Sequence, residues 1–327
     1  VRADNLTPNM QSSRHNQSSP HPNPLPSGEG TGIQRPLACV LVTILLLLLP
    51  GCKPQQPIVP GNLLPKPIAD EAPLPSYGEL VGRYNATLLP IDRIWAEARV
   101  DLEWINEKGD RKREHGDGRF MFAAPMRVAL DIREVGKGFW AGGNQTSYWL
   151  FDLQDKRVAY VGRYDKARDL DPDMLPLPVN PANLLYLLGL RRIDPGIVPE
   201  APAVERVAGH YLIEPPGLGI RLLLHPDTAR PVRVDVLNKA GESVVKCLLS
   251  EPVKLKAAGD RAAVESEIAS VIEVYILDQE ARMTLKLRGA TTEDLQIKNP
   301  HFSFDILKIA LKADEVVDLD APIGTAP

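Results

Sequence analysis

Four of the six histidines lie beyond the first fifty residues: His115, His210, His225 and His301. No two of them stand three to five residues apart, the spacing that offers two imidazoles to one metal ion. They read as solvated or structural groups. The three cysteines, Cys39, Cys52 and Cys247, form no C-x-x-C pair and cannot build a disulfide framework. The chain carries no G-x-S-x-G, no H-E-x-x-H and no G-K-[ST] loop. Asp171 and Asp173 flank Pro172, where paired carboxylates make Asx-type turns. Arg111-Lys112-Arg113 sits between Asp110 and Glu114 and reads as a solvated loop tip. The expectation is no enzyme, no metal and no cofactor. A triad assembled only in space leaves no trace in sequence, so a hydrolase stands as a third reading. With 38 basic and 42 acidic side chains and a net charge of −4, the chain lacks the basic balance of a nucleic-acid binder.

The residue with the most telling surroundings is Cys52. Residues 37–49, L-A-C-V-L-V-T-I-L-L-L-L-L, follow Arg35 without a charge. A helix of that length spans about 20 Å at about 1.5 Å per residue, short of the roughly 30 Å hydrocarbon core. A basic flank, a short apolar run and small residues after it make a secretory signal. Its end, Leu49-Pro50-Gly51-Cys52, resembles the lipobox of bacterial lipoproteins. The resemblance implies that Leu49 and Gly51 are read by the processing enzymes. It implies that Cys52 is acylated with palmitate-type chains and becomes the mature N-terminus. Pro50 departs from the small residue usual at that place. Two acyl chains suffice for stable anchoring where one does not.

Residues 1–36 are rich in Ser, Pro, Asn and Gly and cannot bury a core, so they read as a disordered extension. An extension this long before a signal suggests that translation starts further on, near Arg35. Residues 37–51 then form the signal peptide. Proline recurs through 52–75, which reads as an extended tether. At about 3.1 Å per residue it would lift the domain roughly 70 Å from its anchor. Without the three basic and two acidic groups of residues 1–51, 35 basic and 40 acidic side chains remain, a net −5. Cys247, in V-V-K-C-L-L, reads as a small buried hydrophobe.

The domain proper is expected over 76–311, with 312–327 as a tail. Leu80, Val81, Tyr84, Thr87 and Leu88 share one helical face. Pro90 ends or kinks that helix, and Ile91 to Ala98 is expected to continue it. Period-2 alternation then takes over, in Val100, Leu102 and Trp104, and again in Met126, Val128, Leu130 and Ile132. Residues 105–118 read as a polar connection. Asn180 suits an N-cap, Pro181 a first helical position and Gly189 a stop for a short Leu-rich helix. Strands return from His210 onward, with one more expected within 289–310. About ten strands, closed by two or three helices, make an α+β domain with an open, curved, mainly antiparallel sheet.

This order of elements resembles the LolA/LolB-like family of periplasmic lipoprotein carriers. The points of likeness are the helix over 80–89, the stretch G-R-F-M-F-A-A-P-M-R-V-A-L-D-I, N-P-A-N-L-L-Y-L-L-G-L, and the hairpin P-V-R-V-D-V-L-N-K-A-G-E-S-V-V. They extend over about 78–311. The resemblance implies an incomplete barrel with an apolar cavity that takes lipid or lipoprotein acyl chains. Phe120, Phe122, Met126, Val128, Leu130, Ile220, Leu222, Leu224, Val232, Val234 and Val236 would line one side of the sheet, as cavity wall or as filled core. The LolB branch of the family uses an exposed apolar loop residue, whereas 105–118 is mostly charged. The expected place is the cell envelope, lipid-anchored and periplasm-facing. Lys53 after the cysteine favours the outer membrane under the family's sorting rule. The rival reading is the same fold as a protein-interaction or sensor module with an envelope partner.

Overall fold

A computed structural model describes residues 57–60, 63–69, 72–106, 108–134, 137–154, 156–167, 180–196, 202–256, 266–292 and 297–321. Cys52, Leu49, Gly51 and the Asp171/Asp173 pair lie outside them. Helix α1, Tyr77–Leu88, starts where the Ser76 side chain accepts from the Glu79 amide at 3.3 Å. It buries Leu80, Val81, Tyr84 and Leu88, the face read from the sequence. The strands are β1 (Arg93–Ile105), β2 (Arg111–Ala123), β3 (Arg127–Glu134), β4 (Lys137–Gly143), β5 (Ser147–Asp152), β6 (Val158–Arg163) and β7 (Glu205–Val207). They continue as β8 (His210–Ile213), β9 (Ile220–Leu224), β10 (Pro231–Leu237), β11 (Ser243–Lys254), β12 (Glu267–Ile276), β13 (Ala281–Thr291) and β14 (Glu315–Asp318). Between β6 and β7 a 3-10 turn, Pro181–Asn183, leads into α2, Leu184–Leu187. A second such turn, Asn299–Phe302, leads into α3, Phe304–Ala310.

All fourteen described strands join one open sheet, in the order β14-β6-β5-β4-β3-β2-β1-β13-β12-β11-β10-β9-β8-β7. Each half is a meander, and the halves meet where β1 pairs antiparallel with β13. Only β14 runs parallel to its neighbour, β6. Successive side chains point to opposite faces. The inner face carries Ile94, Ala96, Ala98 and Val100 from β1, and Leu222, Val234, Cys247, Val274 and Leu285 from the second half, all in one apolar core with α1 and α2. Two small helical pieces touch strands from both halves only because the sheet curls around them. Glycines on β2 and β4 permit that curl: a Cβ at Gly118 would stand 1.8 Å from the Asp131 carbonyl oxygen, and one at Gly142 2.8 Å from that of Val128. Asn180 caps the 3-10 turn that leads into α2 by accepting from the Ala182 amide at 2.9 Å, and Gly189 follows the end of α2 at φ +65°.

The outer face is covered at its two ends. Over the first half, Phe302 and Leu307 of the α3 region pack on Met121, Trp140, Trp149 and Phe151. Over the second half lies the chain that precedes α1. Ile58 and Leu63 are buried, at 4% and 7% exposure. Arg233 donates to the Leu63 carbonyl at 3.5 Å, and the Ile68 amide donates to the Ala208 carbonyl at 3.1 Å. Gly209, at φ +80°, would drive a Cβ to 1.8 Å from the Ile68 carbonyl oxygen. This strap is part of the folded unit, so the described parts of 52–75 are not the free extended tether expected from their prolines. Proline denies amides to a sheet ladder, yet it leaves Ile and Leu side chains free to bury.

Four other expectations are corrected. Residues 91–98 do not continue α1, since β1 already begins at Arg93. Residues 105–118 are a hairpin: β1 runs to Ile105, Asn106 and Asp110 close the turn, and β2 starts at Arg111. The alternation there is carried by charged residues on the outer face, so a search for apolar periodicity passes over it. Residues 299–310 are helical instead of a further strand. Of the expected tail, Glu315–Asp318 extends the sheet and Leu319 is buried. Cys247 is fully buried, with its thiol donating to the Leu187 carbonyl at 3.3 Å, and burial pushes its pKa up.

Candidate functional site

Of the eleven residues expected to line one side of the sheet, eight are buried in the inner core: Phe120, Phe122, Val128, Leu130, Ile220, Leu222, Leu224 and Val234. Met126 and Val236 pack against it, half-buried. Val232 differs. The β9–β10 register slips between Pro231 and Arg233, and the extra residue, Val232, faces a pocket.

This pocket, of about 270 Å³, is where the helices stop covering the inner face. One wall is the end of α1 with Leu88 and Ile91, another is Leu188–Leu190, and the floor is Val232, Leu249, Ile268 and Ala269 from β10, β11 and β12. Its geometry is held from α1. Asn85 exchanges two hydrogen bonds with the Ile193 backbone, at 2.7 and 2.9 Å, and the Tyr84 hydroxyl donates to the Arg191 carbonyl at 2.7 Å. Arg83 donates to the Pro226 and Asp227 carbonyls at 2.6 and 3.1 Å, tying the β9–β10 turn to the same helix. A side chain at Gly189 would meet the Pro231 ring at 2.7 Å, so a glycine lets this wall approach β10. Arg230 and Glu267 pair at the rim, each about a quarter exposed. Apolar walls beneath one charged pair suit an amphiphile with a polar end.

Beside that rim the structure assembles a pair that sequence spacing missed. The rings of His210 and His225 meet edge to face at 5.9 Å, fifteen residues apart in the chain. Burial holds His210 below the ordinary histidine pKa, and its Nδ1 lies 3.0 Å from the Ala208 carbonyl oxygen. His225 lines the pocket and accepts from the Asp227 amide at 3.2 Å. His115 lies on the outer face instead, and His301 leans on Trp140 at 6.0 Å.

A larger hollow lies on the other side of the sheet. A groove of about 820 Å³ runs over β2, β1, β13, β12 and β11, and its walls are charged. It is the stretch of outer face between the strap and α3. At one end Glu103, almost fully buried, accepts from Arg111, from Arg113 at 2.6 Å and from Arg282 at 3.1 Å. So Arg111 and Arg113 are not a solvated tip. They start β2 and meet Glu103 because the hairpin places Glu103 directly opposite Arg113. Hydrogen bonding from Arg111 first, and then from Arg113, holds the Glu103 carboxyl down at about 2, against the desolvation that would raise it.

This carries a prediction about acid. A carboxyl held below its ordinary value near 4.5 contributes stability that is complete above that value and is lost as pH falls toward 2. With partners partly open to water, about 1–2 kcal/mol is expected. Glu103→Gln should lower the melting temperature at pH 7, and the gap from the native chain should narrow to a fraction of that size by about pH 2.5. An equal gap at both pH values would contradict this assignment.

No protein-family model matches the chain, and no curated protein matches it. Among solved structures it is similar to a DUF1329 family protein from Desulfovibrio piger, at 13% identity and TM-score 0.48, over 71% of this chain and 97% of that one. It is similar to a LolA superfamily protein from Nitrosomonas europaea, at 10% identity and TM-score 0.47, over 71% and 99%. It is also similar to an outer membrane lipoprotein-sorting protein domain from Vibrio parahaemolyticus, at 11% identity and TM-score 0.45, over 72% and 97%.

Proposed function

We propose that this chain is an envelope lipoprotein whose inner-face pocket binds an acyl chain of a lipid or lipoprotein, in a carrier or receptor role. The observation that supports it is the apolar pocket on the inner face under the Arg230–Glu267 rim. Binding needs no catalysis. A water in the liquid takes up about 30 Å³, and a methylene about as much, so the pocket takes roughly nine methylenes. At about 0.8 kcal/mol each, their burial contributes about 7 kcal/mol before association costs. Affinity should therefore rise with chain length and level off near ten carbons.

The membrane side of the reading rests on the lipobox-like Cys52. Ile58 is already buried, so only five residues, 53–57, lie between it and Cys52, a reach of at most about 20 Å. That is a close leash in place of the roughly 70 Å expected of an extended tether. An outer-membrane, periplasm-facing position agrees with Lys53.

Gln56–Pro327 forms one compact unit that contains all three apolar cores, so it serves as the soluble form for testing. Native mass spectrometry should find co-purified lipid that added fatty acid displaces. Ala269→Trp fills the pocket and should abolish that binding while leaving the melting temperature within a few degrees. A clean apo mass, unchanged by excess lipid, would overturn the reading. The interaction-module alternative would then gain from the exposed pair on α3, Ile306 and Ile309, at 48% and 79%.

A further inference from the structure

One end of the outer face is built differently from the rest. Glu97 on β1 stands opposite Arg119 on β2 and Arg288 on β13. One pair of residues further along the same face, Arg99 stands opposite Asp117 and Lys286. These six side chains line a hollow of about 310 Å³ with Trp95 as its flat wall. Four are cationic and two anionic, a net +2 on a chain that carries −5 beyond residue 51. Arg99 has Asp101 at 3.4 Å. Arg119, Lys286 and Arg288 make no ion pair among the described residues, although carboxylates stand on neighbouring strands. The contrast with Glu103 is direct, since there one carboxylate gathers three arginines. Arg99 stands directly opposite Lys286, and like charges held side by side on a sheet face repel. An anion placed between them relieves that repulsion and meets guanidinium groups able to donate two parallel hydrogen bonds.

We propose that this outer-face hollow, walled by Trp95 and lined by Arg99, Arg119, Lys286 and Arg288, is an anion site for a phosphate group. The phosphate could belong to an anionic lipid headgroup or be free in solution. A phosphate seated between Arg99 and Lys286 has Arg288 next along β13 and Arg119 on the far side of Glu97, on β2. Lys286 and Arg288 also line the larger groove, which leaves room for whatever the phosphate carries. The site is on the face opposite the apolar pocket and does not depend on it.

The test uses the Gln56–Pro327 unit at about 50 mM salt, where screening is weak. Inorganic phosphate is titrated calorimetrically. Sedimentation is measured with vesicles of phosphatidylglycerol and, separately, of phosphatidylcholine. Binding of phosphate identifies a free anion as sufficient, and binding of phosphatidylglycerol vesicles alone identifies the headgroup. The Arg119→Gln/Arg288→Gln double variant should weaken either interaction about thirtyfold, at about 1 kcal/mol per cation. Lys286→Gln should weaken it about fivefold, and Lys308→Gln on α3 should leave it unchanged. These side chains point outward, so unfolding curves should overlay those of the native chain. Binding to neither probe, equal binding to phosphatidylcholine, or full retention by the double variant would overturn the site. Fatty-acid binding in the same preparation reports on the inner pocket, so failure of one reading is distinguishable from failure of the other.

Discussion

Removing residues 56–75 from the Gln56–Pro327 unit should lower its melting temperature by about 10 °C. Ile58 and Leu63 are buried, and burying one aliphatic side chain contributes about 1.5–3 kcal/mol. The deletion also removes the Leu63 carbonyl to which the nearly inaccessible Arg233, paired with Asp235 on β10, donates. Ordering the strap offsets part of the gain, which leaves about 3–5 kcal/mol. For a domain of this size each kcal/mol moves the midpoint by about 2–4 °C. Gly209→Ala tests the same contact from the other side, because its Cβ would collide with the Ile68 carbonyl oxygen at a backbone angle that favours glycine. It should reproduce much of the loss with every strap residue present. Equal melting curves for the two lengths would mean that 56–75 is a tether after all, and the short leash to Cys52 would fall with it.

Gly118→Ala should cost at least about 3–4 kcal/mol in urea unfolding, near the upper end for a single substitution. The added methyl would stand 1.8 Å from the Asp131 carbonyl oxygen and 2.9 Å from the Ile132 Cα. Both are backbone atoms of the paired strand, so nothing can swing aside, and β2 and β3 must separate. Gly116→Ala is the comparison. Its methyl would meet chiefly the Ile132 Cγ2, 2.6 Å away, which is the end of a side chain that can turn. About 1–2 kcal/mol is expected there. If the two substitutions cost the same, the close approach of β2 to β3 is not what curves this sheet. A flatter sheet would also move the inner face away from α1 and open the pocket, so the Gly118 variant should bind fatty acid with altered chain-length preference.

The fold class was legible because it rests on local patterns. Alternation at Val100 to Trp104 and at Val128 to Ile132, the face of α1, and the Asn180–Pro181 start of the α2 segment each depend on a few consecutive residues. Charge-rich alternation was less legible: Arg111, Arg113 and His115 form one side of a strand as regularly as valines do, yet polar stretches look alike whether they are strand or loop. The short α3 was missed because its first turn packs Phe304 and Leu307 on the outer face while Ile306 and Ile309 stay in water, which blurs the helical stripe.

The sequence by itself determined the alternation of the strands, the absence of a local catalytic motif and the place of Cys52 after an apolar run. Tertiary structure decided what each face of the sheet is for. The inner and outer sets of side chains have the same period, and nothing in the alternation tells which set meets a helix, a strap or water. That depends on where β1 and β13, nearly two hundred residues apart, pair. Their pairing places Arg119, Glu97 and Arg288 in one row and joins two meanders into a sheet wide enough to leave a pocket. A pocket is a shortfall of side-chain volume between distant elements, and no single residue carries its mark. Val232 faces it only because the register slips at Pro231, a slip visible where β9 and β10 lie side by side.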